Sequence, residues 1–116
     1  MHELSIADAL VRQVQAVVMK ERAARAVSVA VDVGSLSGVD PEALSAAFPL
    51  VAEGLPEVAC AALQVNFIAA TAVCGDCGDR HEDSMAPACP KCGSAHLVFS
   101  GGRDLTLRSV ELDFDD

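Results

Sequence analysis

Four of the five cysteines stand as two matched pairs, Cys74-Gly75-Asp76-Cys77-Gly78 and Cys89-Pro90-Lys91-Cys92-Gly93, and this spacing limits the fold more than any other feature of the chain. A two-residue gap lets both sulfurs of a pair reach one ion. The glycine after each pair, Gly78 and Gly93, relieves the tight turn so that backbone amides point at the sulfurs. Two such knuckles close a tetrahedron. The eleven residues from Gly78 to Ala88 are too few for a hydrophobic core, so the metal holds this segment together. Ligand type points to structural zinc in a closed, non-hydrolytic site. Iron in a rubredoxin-like knuckle shares the Cys-Pro-x-Cys-Gly form and stays open as an alternative. A redox dithiol would come as one pair beside a βαβ pattern, which this sequence lacks. A secreted disulfide framework fits poorly with an odd cysteine, Cys60, and with Glu3 and Asp8 breaking the only N-terminal apolar stretch. The thiols imply a reducing, cytoplasmic setting. Cys60, among Ala59, Ala61, Ala62 and Leu63, reads as a small buried apolar side chain.

With 116 residues, 52% of them hydrophobic, the chain can build one modest core beside the metal-held module. Its apolar runs are broken well before the roughly 20 residues a bilayer span needs, so no membrane segment is expected. Seventeen acidic against 8 basic side chains give a net charge of −9, and Trp and Tyr are absent. Both facts argue against nucleic acid, which asks for clustered Lys and Arg and for stacking platforms. A zinc-ribbon adaptor of a transcription or RNA complex therefore lacks its electrostatic partner. No phosphate loop, Ser-His-Asp set or open metal position is visible, so an enzyme is not expected.

Ser5 followed by Asp8 resembles a capping box, and Ile6, Leu10, Val14 and Val17, widened by Ala7, Val11 and Val18, recur at helical spacing. The expected helix runs from about Ser5 to Arg25 and leaves Met1-His2-Glu3 outside it. Val27, Val29, Val31 and Val33 alternate as a half-buried strand that Gly34 ends. Asp40 caps and Pro41 opens a second helix with Leu44, Ala47, Phe48 and Val51 on one face, terminated at Gly54. Leu63, Val65 and Phe67 begin a second strand. Leu105 and Leu107 alternate, as do Val110, Leu112 and Phe114, with a phase slip that predicts a bulge near Arg108-Ser109. Asp113, Asp115 and Asp116 read as a solvated acidic end. The expected fold is α+β: two helices on one face of a small three-stranded sheet, with an inserted four-cysteine, zinc-ribbon-like domain. The expected division is 1–72 plus 102–116 for the core and 73–101 for the insertion, with hinges at Val73 and Gly101-Gly102.

A free α-amine, the backbone nitrogen after it and the imidazole of His2 can form fused chelate rings on one ion once the amide proton is lost. Ni(II) and Cu(II) promote that loss and accept a planar nitrogen set. Taken alone, a histidine at position two is more often accidental.

Met1-His2-Glu3-Leu4-Ser5-Ile6-Ala7, then Val33-Gly34-Ser35-Leu36-Ser37-Gly38-Val39, then both cysteine knuckles ending Cys92-Gly93-Ser94, occur in order over nearly the whole chain. Together they resemble the HypA/HybF nickel metallochaperones of hydrogenase maturation. The resemblance implies a nickel-binding core and a zinc-binding insertion held by Cys74, Cys77, Cys89 and Cys92. It places transient Ni(II) at the Met1 amine, the His2 imidazole and backbone nitrogens including that of Glu3. It also implies delivery to the [NiFe]-hydrogenase large-subunit precursor with the GTPase HypB, by a monomer or homodimer. His81 and His96 flank the cysteine site, as outer-shell or plain surface histidines.

Overall fold

A computed structural model describes residues 2–82 and 88–115. Its elements in chain order are α1 (His2–Lys20), β1 (Arg25–Gly34), α2 (Pro41–Ala52), α3 (Pro56–Ala59), β2 (Ala62–Ile68), β3 (Thr71–Cys74), β4 (Arg80–Glu82), β5 (Leu97–Ser100) and β6 (Leu105–Asp113). They form two three-stranded sheets, ordered β2-β1-β6 and β4-β3-β5. In the first, β1 is central, parallel to β2 and antiparallel to β6. The helices cover one face of this sheet. Ala7, Leu10, Val11, Val14 and Val18 of α1 and Leu44, Ala47, Phe48 and Ala52 of α2 meet Val29, Val31 and Val33 in one buried cluster. The expected α+β architecture of two helices on a three-stranded sheet is what the chain adopts, with the four cysteines gathered beside the second sheet.

Helix α1 differs from expectation at both ends. It begins at His2, three residues before Ser5, so Ser5 lies inside it. Glu3 in the extra turn favours it by meeting the positive end of the helix dipole. At the other end the helix stops at Lys20, because Arg22 takes the left-handed conformation at φ 57° and the Ala23 amide reaches back to the Val18 carbonyl. That closing bond is a common helix terminator, usually signalled by a glycine that this sequence does not have.

The phase slip in β6 is a bulge. Ser109 pairs with Ala30 and Leu107 with Val31, leaving Arg108 as the extra residue. A second register shift in β1, between Ala26 and Ser28, turns Val27 outward and buries Ala26 instead. The short α3 and strands β3 to β5 had no sequence signal. Cys60 corrects another expectation: it caps the end of α3 and is exposed. At the C-terminus Arg25 pairs with both Asp113 and Asp115, so this acidic end is tied to β1 as far as it is described. Asp116 lies outside the described residues.

The two sheets are joined by two chain crossings, and both pass the turn after β1. The Ser35 amide donates to the Ile68 carbonyl (2.8 Å), the Ala70 amide to Ser35 Oγ (2.9 Å) and the Leu36 amide to the Gly102 carbonyl (2.6 Å). Val73, expected as a hinge, lies inside β3. Gly101 and Gly102 both have positive φ, near 70°. A Cβ on Gly34 would lie 2.1 Å from the Gly102 carbonyl oxygen, which is backbone and cannot swing aside. Replacing Gly34 with alanine should therefore cost about 2–3 kcal/mol, read as a lower urea midpoint at unchanged slope. Gly54→Ala, with open space at its Cβ, should stay within about 0.5 kcal/mol of the parent.

Candidate metal centres

The four sulfurs of Cys74, Cys77, Cys89 and Cys92 lie within 4.8 Å of one another. The Cys74–Cys92 and Cys77–Cys89 separations are 3.5 and 3.7 Å. Zn–S bonds of about 2.3 Å in a tetrahedron put sulfurs about 3.8 Å apart, so the arrangement fits a four-thiolate ion. Each knuckle is closed as its glycine allows: the Gly78 amide donates to the Cys74 carbonyl and the Gly93 amide to the Cys89 carbonyl, with both glycines at positive φ. Cys74 and Cys89 are buried; Cys77 and Cys92 are exposed.

The sulfurs are electrostatically unequal. Amides of Cys77 and then Asp76 draw the Cys74 thiol down to about 6. At Cys92 the Ser94 amide also favours the thiolate, but proton sharing with Cys74, burial and the other two thiols outweigh it and push the group up to about 12. Cys77 is raised too: burial and sharing with Cys74 and Cys89 outweigh the Asp79 amide. Close thiolates repel, so only a cation lets all four lose their protons.

The knuckles are cross-braced. Asp76, from the first, accepts a hydrogen bond from Ser94 Oγ and lies 3.2 Å from His96 Nδ1, both from the segment after the second. The Gly75 amide donates to the His96 carbonyl at 2.7 Å. His81 Nδ1 is buried, 3.5 Å from Asp79 Oδ2, without a hydrogen-bond partner among the described residues. Neither histidine belongs to the sulfur cluster. Asp76 and Ser94 were missed in the sequence, where only their adjacency to cysteines marked them.

At the N-terminus, where the sequence led us to expect nickel ligands, Met1 and the His2 side chain lie outside what is described. The backbone from His2 onward is helical, and Glu3 Oε2 accepts from the Asp40 amide at 3.4 Å. Asp40 is also the N-cap of α2, its carboxylate accepting from Glu42 and Ala43. The first turn of α1 therefore lies against the start of α2. Sequence reading identified Asp40 only as a cap; its approach to Glu3 comes from packing between helices 37 residues apart in the chain.

The sequence model described as hydrogenase/urease nickel incorporation, metallochaperone, hypA matches residues 1–112. The chain belongs to the HypA family. Among curated relatives, the hydrogenase maturation factor HypA of Chlorobium limicola is 39% identical over 118 residues, covering all of both chains. That of Methanocaldococcus jannaschii is 32% identical over 127 residues, again covering both. In fold, the chain is similar to the solution structure of the Ni metallochaperone HypA from Helicobacter pylori, at 23% identity, a TM-score of 0.67 and 97% and 98% coverage. HypA membership accounts for the joint presence of the N-terminal motif, the Gly34–Val39 turn and the four-cysteine metal-binding site. Among the described residues no helix is long and apolar enough to cross a membrane.

Proposed function

We propose that this HypA-family chain carries Ni(II) at its extreme N-terminus and passes it to the [NiFe]-hydrogenase large-subunit precursor, together with the GTPase HypB, in the cytoplasm. Zinc at Cys74, Cys77, Cys89 and Cys92 maintains the shape of the module spanning 73–101, while 1–72 and 102–116 form the nickel-binding domain. His81 and His96 lie outside the zinc ligand set. His96, hydrogen-bonded around Asp76, braces the two knuckles against each other.

The observation that supports the nickel reading is the helical backbone of α1 from His2 onward. Nitrogens of consecutive residues in an extended strand face opposite ways. In a helix ψ is about −42° and the first amides all point out of the N-terminal end without intrahelical acceptors. A small ψ is what fused chelate rings require of consecutive nitrogens. The helical first turn keeps the His2 and Glu3 nitrogens on one side, and in the proposed chelate the Met1 amine and the His2 imidazole complete a planar nitrogen set with them. The Glu3 carboxylate, at the Asp40 amide, holds this turn against α2. Such a chelate opens one ligand at a time, which suits a carrier that must release its cargo. Planar coordination also disfavours Zn(II), so the two ions sort to different ends of the molecule.

An added residue ahead of Met1 tests this. The extension keeps every side chain but converts the amine into an amide, and stoichiometric nickel binding should be lost while zinc content stays unchanged. Nickel bound equally well by the extended chain would overturn the assignment.

A further inference from the structure

Val29, Val31 and Val33 point into the helix-covered core, so Asp32 and Gly34 of β1 face the other side of the sheet. The ladder sets their neighbours. Asn66 and Thr106 flank Asp32 across β2 and β6, and Ile68 flanks Gly34. On the far flank of Gly34 lies Asp104, whose carbonyl accepts from the Gly34 amide at 2.9 Å. Position 34 carries no side chain and the backbone of Gly102 crosses over it. A hollow of about 170 Å³ is left there, lined by Asp32, Thr106, Asp104 and Ile68 together with the two glycines. Water takes up about 30 Å³ and pockets for whole small molecules begin near 300 Å³, so the space suits one side chain.

The acceptors in the hollow are unevenly used. Asn66 Nδ2 and Arg108 Nη1 both approach Asp32 through Oδ1, at 3.3 and 3.5 Å. Oδ2 is left without a partner among the described residues, on a side chain only 27% exposed. Asp104 forms no ion pair among them either. Ile68, 42% exposed, stands beside these carboxylates as an apolar wall.

We infer that this hollow receives an arginine side chain from a basic segment of a partner protein. The guanidinium, a planar fork of five donors, bridges Asp32 Oδ2 and the Asp104 carboxylate, with the Thr106 hydroxyl as a third acceptor. Its methylene stem lies along Ile68. Arg108 shows that Asp32 accepts a guanidinium, but it is 61% exposed and does not line the hollow. Lysine would offer a point charge in place of the fork. A divalent ion is a poorer guest, because Mg²⁺ demands a near-octahedral oxygen set and Arg108 brings positive charge to one of the two oxygens of Asp32. A net charge of −9 repels nucleic acid and a second copy alike, which leaves a protein of opposite charge. From Gly34 the chain turns to Asp40, beside Glu3, so a partner held here sits at the end of the core where α1 begins.

Nuclear magnetic resonance titration of the full-length, metal-loaded protein with the acetylated and amidated tripeptide Gly-Arg-Gly tests this. Shifts centred on the amides of Asp32, Gly34, Gly102, Asp104 and Thr106 are expected, saturating at millimolar peptide and weakening with added salt. The matching lysine peptide should bind about threefold more weakly or worse. Asp104→Asn, on an exposed side chain without an ion pair, should weaken the arginine peptide by about threefold to fivefold. Arg108→Ala removes the competing cation and should tighten it, a gain that a damaged fold cannot give. Shifts scattered over the acidic surface, equal binding of the lysine peptide, Asp104→Asn binding as well as the parent, no gain in Arg108→Ala, or Mg²⁺ moving the same amides at lower concentration than the peptide would each overturn the inference.

Discussion

His2→Ala should abolish stoichiometric nickel binding in the untagged protein and leave the four-cysteine metal in place. In the proposed chelate the imidazole supplies one in-plane donor and anchors the ring that makes loss of the neighbouring amide proton worthwhile. Removing it leaves an amine and peptide nitrogens that water and buffer ligands outcompete. A loss of at least ~100-fold in affinity is expected, at the scale of one strong ligand in a multidentate site. Titration of parent and variant, with the visible band of planar Ni(II) as the readout, checks it. The fold should be indifferent, because the core is built from Ala7 onward. Unchanged affinity in the variant, with the same band, would remove the N-terminus as the nickel site.

Stripping the thiolate-bound metal should disorder the second sheet and spare the first. The buried residues Ala70, Ala72, Cys74 and Cys89 are outside the hydrophobic cluster that holds α1, α2 and β1 together. Strands β3, β4 and β5 are four, three and four residues long, too short to stand alone. The ion therefore supplies the missing stability, of the order of 10–16 kcal/mol for structural zinc at neutral pH. Amide exchange should show β3 losing protection while Val29, Val31 and Val33 retain theirs. The pH dependence has a definite sign. Cys92 is pushed up to about 12 and Cys77 is also raised, so metal uptake must expel protons from both. Acidification therefore weakens binding and alkalinity strengthens it. A proton-release titration on adding zinc to the reduced, metal-free protein measures this, and protection of β3 surviving complete metal removal would contradict the argument.

Much of this was legible before any coordinates. Period and chemistry announced the valines of β1, the Asp40-Pro41 helix start and both cysteine knuckles, because each depends on residues close in the chain. The bulge at Arg108 was legible from a slip in alternation alone. What escaped depends on neighbours distant in sequence. The first turn of α1 joins the helix although Ser5 looks like a cap, and Glu3 meets Asp40 only once two helices pack. The bulge at Val27 exchanges Ala26 for a valine in the core through pairing with β6. Cys60 has small apolar neighbours in sequence, yet its position after α3 leaves it exposed. Strands β3 to β5 are brief and carry little alternation, so their existence rests on the sulfur cluster that gathers them.

The segment holding the thiolates leaves and rejoins the core through one doorway: a Cβ on Gly102 would touch Ala70 at 2.9 Å, and Ser35 and Leu36 grip both sides. An excursion whose ends coincide imposes no spacing on the strands it interrupts. A change in the length of the metal-bearing piece should therefore leave the pairing of β2 and β6 with β1 in place.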